Sequence, residues 1–75
     1  MKELLVYIAK SLVDFPDDVV VEQQGSEDSI VLKLHVNESD MGKVIGRQGR
    51  IAKSIRSVMK AAASKNNVKV SVDIV

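Results

Sequence analysis

The 75-residue chain has no cysteine and no tryptophan, and only one proline, one histidine, one tyrosine and one phenylalanine. Without cysteine there are no disulfides and no thiolate metal sites, a composition that suits a reducing compartment. A single histidine, His35, leaves no histidine cluster for a metal, and no nucleophile–base pair stands at a recognisable spacing. The adjacent acids Asp17-Asp18 and Glu27-Asp28 fall in turn-like stretches, where neighbouring side chains diverge. No cofactor and no catalysis are therefore expected. The uninterrupted apolar runs are only a few residues long, well short of the roughly 20 needed to span a bilayer. Met1-Lys2-Glu3-Leu4 places an acid early and runs straight into a helical pattern, unlike a cleavable signal. The expectation is one small cytoplasmic domain, residues 1–75, with no membrane contact.

Aliphatic residues make up for what is missing. Hydrophobic residues are 45% of the chain, and they must build a core unaided in a chain that buries only about 60% of its unfolded surface. The net charge is +1, but it is unevenly spread. Residues 41–65 hold Lys43, Arg47, Arg50, Lys53, Arg56, Lys60 and Lys65, and all ten acids lie outside that window. Such segregation is the footprint of a polyanion-binding face.

Leu4, Leu5, Ile8, Ala9, Leu12 and Val13 recur at helical spacing, so a helix is expected over about 2–13, stopped by Phe15-Pro16. Val19–Gln23 reads as a short strand, and the alternation of Ile30, Leu32, Leu34 and Val36 as a second. Asn37-Glu38-Ser39-Asp40 offers caps for a brief helix that begins near Asp40 or Met41 and is broken at Gly46. A longer helix follows from about Gly49 to Ser64, with Ile51, Ile55, Val58, Met59 and Ala62 on one stripe. Val68, Val70, Val72 and Ile74 alternate in a last strand. The order α-β-β-α-α-β implies an antiparallel hairpin followed by a right-handed crossover. This gives an α+β fold, a three-stranded mixed sheet with three helices on one face.

Chemistry gathers at Val44-Ile45-Gly46-Arg47-Gln48-Gly49-Arg50-Ile51. Two glycines three residues apart admit another backbone closely and permit positive φ. The loop feeds a helix N-terminus, whose free N–H groups favour phosphate. Arg47 and Arg50 add charge, with Lys43 and Lys53 a turn to either side. A P-loop would need G-x-x-x-x-G-K-[ST] after a strand, and that pattern is absent.

Residues 42–56, Gly-Lys-Val-Ile-Gly-Arg-Gln-Gly-Arg-Ile-Ala-Lys-Ser-Ile-Arg, resemble the I-G-x-x-G-x-x-I core of KH domains. The second isoleucine of that pattern would fall at Ala52, with Ile51 one place early. The element order resembles the type II KH topology. Length and the Ala61-Ala62-Ala63-Ser64-Lys65 run are similar to the small bacterial KhpA (YlqC-type) family. The resemblance implies single-stranded RNA as partner, about four nucleotides held in a cleft, and a role as an RNA chaperone or post-transcriptional regulator. Carried onto this chain, it assigns RNA contact to Lys43, Ile45, Gly46, Arg47, Gln48, Gly49, Arg50, Ile51 and Lys53, with part of the strand Ile30–Val36 lining the groove. It also implies a homodimer, or a heterodimer with a larger KH-domain protein, through the helix after the loop near Val58. A module used mainly for such protein contacts, with nucleic acid incidental, is the rival reading. Tyr7 and Phe15, away from the loop, are expected in the core. An aliphatic site fits KH-type packing better than the aromatic stacking common among single-strand binders.

Overall fold

The computed structural model describes all 75 residues. Helix α1 spans Lys2–Leu12, and a 3-10 turn at Pro16–Asp18 leads into strand β1, Val20–Gly25. Strand β2 is Ser29–His35. A second 3-10 turn, Glu38–Asp40, opens helix α2, Met41–Ile45, and helix α3, Arg50–Ser64, precedes strand β3, Lys69–Ile74. The expected α-β-β-α-α-β order holds, with ends displaced by one or two residues, as is usual for boundaries read from pattern.

The sheet order is β1-β2-β3. β1 pairs antiparallel with β2, Val21 opposite Leu34, and β2 pairs parallel with β3, Leu32 opposite Val72. This is the mixed α+β sheet the connections imply. β2 lies in the centre, and its side chains alternate between the core and the outer face. Val21, Ile30, Leu32, Leu34 and Val72 point inward against Leu5 and Ala9 of α1, Val44 of α2, and Ile55 and Met59 of α3. Full burial of a side chain of this kind contributes about 1.5–3 kcal/mol, and Leu5, Leu32, Leu34, Val44 and Met59 are fully buried.

Two expectations fail here. Tyr7 is 72% exposed and Phe15 50% exposed, so neither belongs to the core. Tyr7 falls between the inward residues Leu5 and Ala9 on α1 and therefore on its outer side, and Phe15 follows the helix into a surface turn. The inward stripe of α3 is also rotated from the expected one. Ala52, Ile55, Met59 and Ala63 are buried, while Val58 is 47% exposed. Small alanines take two of the four buried positions, and the larger Ile51 and Val58 take the flank.

Candidate nucleic-acid interface

Three of the four residues joining α2 to α3 have positive φ: Gly46 at 76°, Gln48 at 56° and Gly49 at 73°. Gly46 has φ 76° and ψ 175°, a region essentially reserved for glycine. A Cβ there would also stand 2.6 Å from Ile51 Cγ1 and 2.9 Å from the Ile51 backbone nitrogen. Ile51 thus packs directly under the loop. Gly49 has open space where a Cβ would be, so only its left-handed backbone calls for glycine. Gln48 takes the same conformation with a side chain and remains exposed.

The loop delivers the chain to the N-terminus of α3 with no side-chain cap and no acid in the first turn. The first N–H groups of a 15-residue helix therefore lack side-chain acceptors, and the positive end of its dipole is unopposed by a carboxylate. Arg47, Arg50, Lys53, Arg56 and Lys60 are exposed, and none of them joins an ion pair.

Helical geometry, about 100° per residue, divides α3 into three flanks. Ala52, Ile55, Met59 and Ala63 form the buried flank, with Ile55 and Met59 in the core against the sheet. Ile51, Ser54 and Val58 turn toward α1, where with Leu4, Tyr7, Ile8, Leu12 and Ile55 they line an apolar recess of about 420 Å³. Lys53, Arg56 and Lys60 fall on the opposite flank, beside β3. Arg56 Nε donates to the carbonyl of Val72 at 3.1 Å, covering part of the strand's unpaired edge. Lys60 and Lys69 border a polar recess of about 370 Å³ between the end of α3 and the start of β3.

The predicted site residues therefore separate. Gly46, Arg47, Gln48, Gly49, Arg50 and Lys53 come together at one end of α3, and Ile45, 37% exposed, adjoins them. Ile51 supports the loop from beneath and faces the α1 recess. The inward half of Ile30–Val36 is closed off in the core, with Leu32 and Leu34 fully buried. The edge strand β3 is the one that flanks the basic side of α3. Arg56 and Lys60 continue the cationic flank from Lys53 along α3 at i+3 and i+7, a spacing visible in the sequence.

Lys43 is engaged elsewhere. Its ammonium bonds the Asp14 carboxylate and lies 3.5 Å from Asp40 Oδ1. The Asp14 hydrogen bond is the main influence holding the lysine above its ordinary pKa, against partial burial. Asp40, expected as a cap, makes no side-chain bond to α2. It is the one buried charged residue, and its oxygens accept the N–H groups of Asp14 at 3.1 Å and Phe15 at 3.0 Å. Burial would raise its pKa, but these two N–H groups and then Lys43 outweigh it and hold the carboxyl below the ordinary aspartate range. Asn37 supplies the cap instead, accepting from the Ser39 N–H at 2.9 Å. No group of three or more His, Cys, Asp or Glu side chains could hold a metal ion. No helix is long and apolar enough to cross a membrane.

A three-stranded sheet with helices on one face and a Gly-x-x-Gly turn between two of them is the architecture of a type II KH domain. Comparison narrows it: the family described as "KhpA/KhpB, KH domain" matches residues 2–74, and the chain belongs to that family. It is 63% identical to the RNA-binding protein KhpA of Clostridium perfringens and 61% identical to that of Clostridium acetobutylicum, each over 100% of both chains. The KhpA of Listeria monocytogenes is 48% identical over 100% of this chain and 99% of its own. Among solved structures, Era of Aquifex aeolicus bound to GDP.AlF4- superposes with a TM-score of 0.67 at 18% identity. Era in complex with MgGDPNP and nucleotides 1506–1542 of 16S ribosomal RNA gives 0.56 at 19% identity. The first match covers 99% of this chain but 30% of Era, the second 97% and 28%, so the fold recurs there as part of a longer protein.

Proposed function

We propose that this chain, acting as a single KH domain, binds single-stranded RNA along one side of α3. The Gly46–Gly49 loop and the first turn of α3 hold phosphate. Arg47, Arg50 and Lys53 supply charge at that end, and Arg56 and Lys60 extend it beside β3. Ile45 offers the apolar contact for a base, while Ile51 and Lys43 support the loop rather than touch RNA. A 15-residue helix is about 22 Å long, room for the roughly four nucleotides of a KH cleft. One observation carries the reading: an uncapped helix N-terminus lies under a glycine loop, flanked by cations that have no acid partner. The names of the full-length relatives support it. A small RNA chaperone or post-transcriptional regulator is the role this chemistry suits, because phosphate contacts carry little sequence information. The test is Arg47→Asp combined with Gln48→Asp. Retention of a short single-stranded RNA in a gel-shift assay should be lost while the circular dichroism spectrum is unchanged. Undiminished retention would refute the assignment.

A second reading concerns protein contact. The α1–α3 recess exposes Tyr7, Leu12 and Val58 on the side of α3 away from the cations, an apolar surface of the kind that marks association sites. It supports pairing with another KH domain, either a second copy of this chain or that of a larger partner. Sedimentation of the purified protein separates the two, since a strict monomer at high concentration leaves only the larger partner.

A further inference from the structure

The segment that carries the loop has little support of its own. α2 is five residues long and opens without a side-chain cap bond, far below the length at which a helix persists alone in water. Two fully buried side chains anchor it, Val44 by packing and Asp40 by hydrogen bonds. Those bonds reach 26 residues back to Asp14 and 25 back to Phe15, just beyond the end of α1. Lys43, one turn further on, closes the arrangement by bonding the Asp14 carboxylate while standing 3.5 Å from Asp40. Burying a carboxylate is costly unless its lone pairs are used, and an apolar pair could fill such a volume with less desolvation. What the carboxylate adds is direction. Two N–H donors from the chain leaving α1 set where the backbone of residue 40 stands, and Gly46 follows six residues later across the turn and a half of helix that Val44 anchors.

Resting on the RNA-binding reading of the loop, we propose that Asp40 is a positioning residue for that site. Its buried carboxylate fastens the base of α2 to the chain leaving α1, and so holds the Gly46–Gly49 loop where phosphate can reach both its amides and the N-terminus of α3. The Asp14–Lys43 pair seals this fastening from outside. The sign of the effect separates positioning from simple charge. Removing an acid near a phosphate-binding loop should, by electrostatics alone, tighten a polyanion. Displacing the loop weakens it.

The experiment compares Asp40→Asn with Asp14→Asn, which removes the other carboxylate beside the same lysine and leaves both backbone bonds to residue 40 in place. Amide spectra are recorded without RNA, and each protein is then titrated with a short single-stranded RNA below its unfolding temperature. Asp40→Asn should shift the Gly46 and Gly49 amides and weaken RNA binding about tenfold. Asp14→Asn should leave those amides nearly in place and bind as tightly as the parent or more so. Unmoved loop amides in Asp40→Asn, or undiminished binding, overturns the proposal. So does an Asp40→Asn chain that stays unfolded even in sucrose, which favours the compact state, because the carboxylate then holds the whole fold and not the loop. Loop displacement is read without RNA. Retained binding by the Arg47→Asp, Gln48→Asp protein would instead refute the loop as the RNA site and leave that displacement standing.

Discussion

Gly46 and Gly49 stand three residues apart, both with positive φ, and the structure asks different things of them. At Gly46 an added methyl meets Ile51 as well as an unfavourable backbone. Gly46→Ala should cost about 3 kcal/mol and displace Ile51 from the recess. At Gly49 the space is open, and Gly49→Ala should cost only about 1 kcal/mol. Chemical denaturation of the two variants checks the ranking, and equal losses would contradict it. Protonation at Asp40 is the other event at this scale. Its carboxyl lies below the ordinary aspartate range when folded, so its contribution is present above that range and is lost as pH falls through the lower, folded-state value. Glu3, lowered by its own backbone N–H and then the N-terminal ammonium, adds to the same acid limb. Lys43 is raised, so its contribution is complete below the ordinary lysine range and is lost as pH rises through the folded-state value. The thermal midpoint should accordingly be flat near neutrality and fall below about pH 4. Asp40→Asn should show a shallower acid limb, measured by circular dichroism melts across pH.

Helix α3 was legible in the sequence as basic and amphipathic, and its length was read to within a residue. Its rotation was not. The pattern Ile51, Ile55, Val58, Met59, Ala62 is a fair helical stripe, but the fold buries the small Ala52 and Ala63 and leaves the larger Val58 half exposed. Size complementarity across an interface cannot be seen in one strand of pattern. The same limit explains Asp40: a cap and a long-range acceptor look alike in sequence, and only the fold brings residues 14 and 15 to it. The two glycines of the loop, in contrast, were visible because a need for positive φ is written locally, whereas the left-handed Gln48 between them was not. The three-flank division has its own consequences. Arg56→Ala removes the bond to Val72 and one cation. It should cost about 1 kcal/mol of stability and lower the salt dependence of RNA binding by about one phosphate contact. Lys60→Ala should weaken RNA binding and lower its salt slope while leaving stability unchanged. Val58→Asp, on the α1 side, should disrupt any association through the recess in sedimentation and leave RNA affinity per chain unchanged.

For the molecule as a whole, segregation of charge matters more than its sum. Ten acids lie outside residues 41–65 and seven of the eleven basic residues lie within them. The net charge of +1 therefore conceals a cationic side able to neutralise several phosphates. Log affinity for single-stranded RNA should fall linearly with log salt, with a slope of about −0.7 per phosphate contacted. A slope near zero in a salt series would mean that the cations do not face the RNA. Two domains joined through the opposite flank would present two such sides to one strand and gain avidity without any new RNA contact.

The parallel pairing of β2 with β3 also governs when this fold can exist. Ser29 lies opposite Lys69, about forty residues away along the chain. Distant pairings must overcome loop-closure entropy before they contribute, so folding should be slow for so small a chain. The hairpin of β1 and β2 can form during synthesis, but the sheet is incomplete until β3 has left the ribosome. Until then β2 is an unprotected edge in the nascent chain, and the core has no third wall.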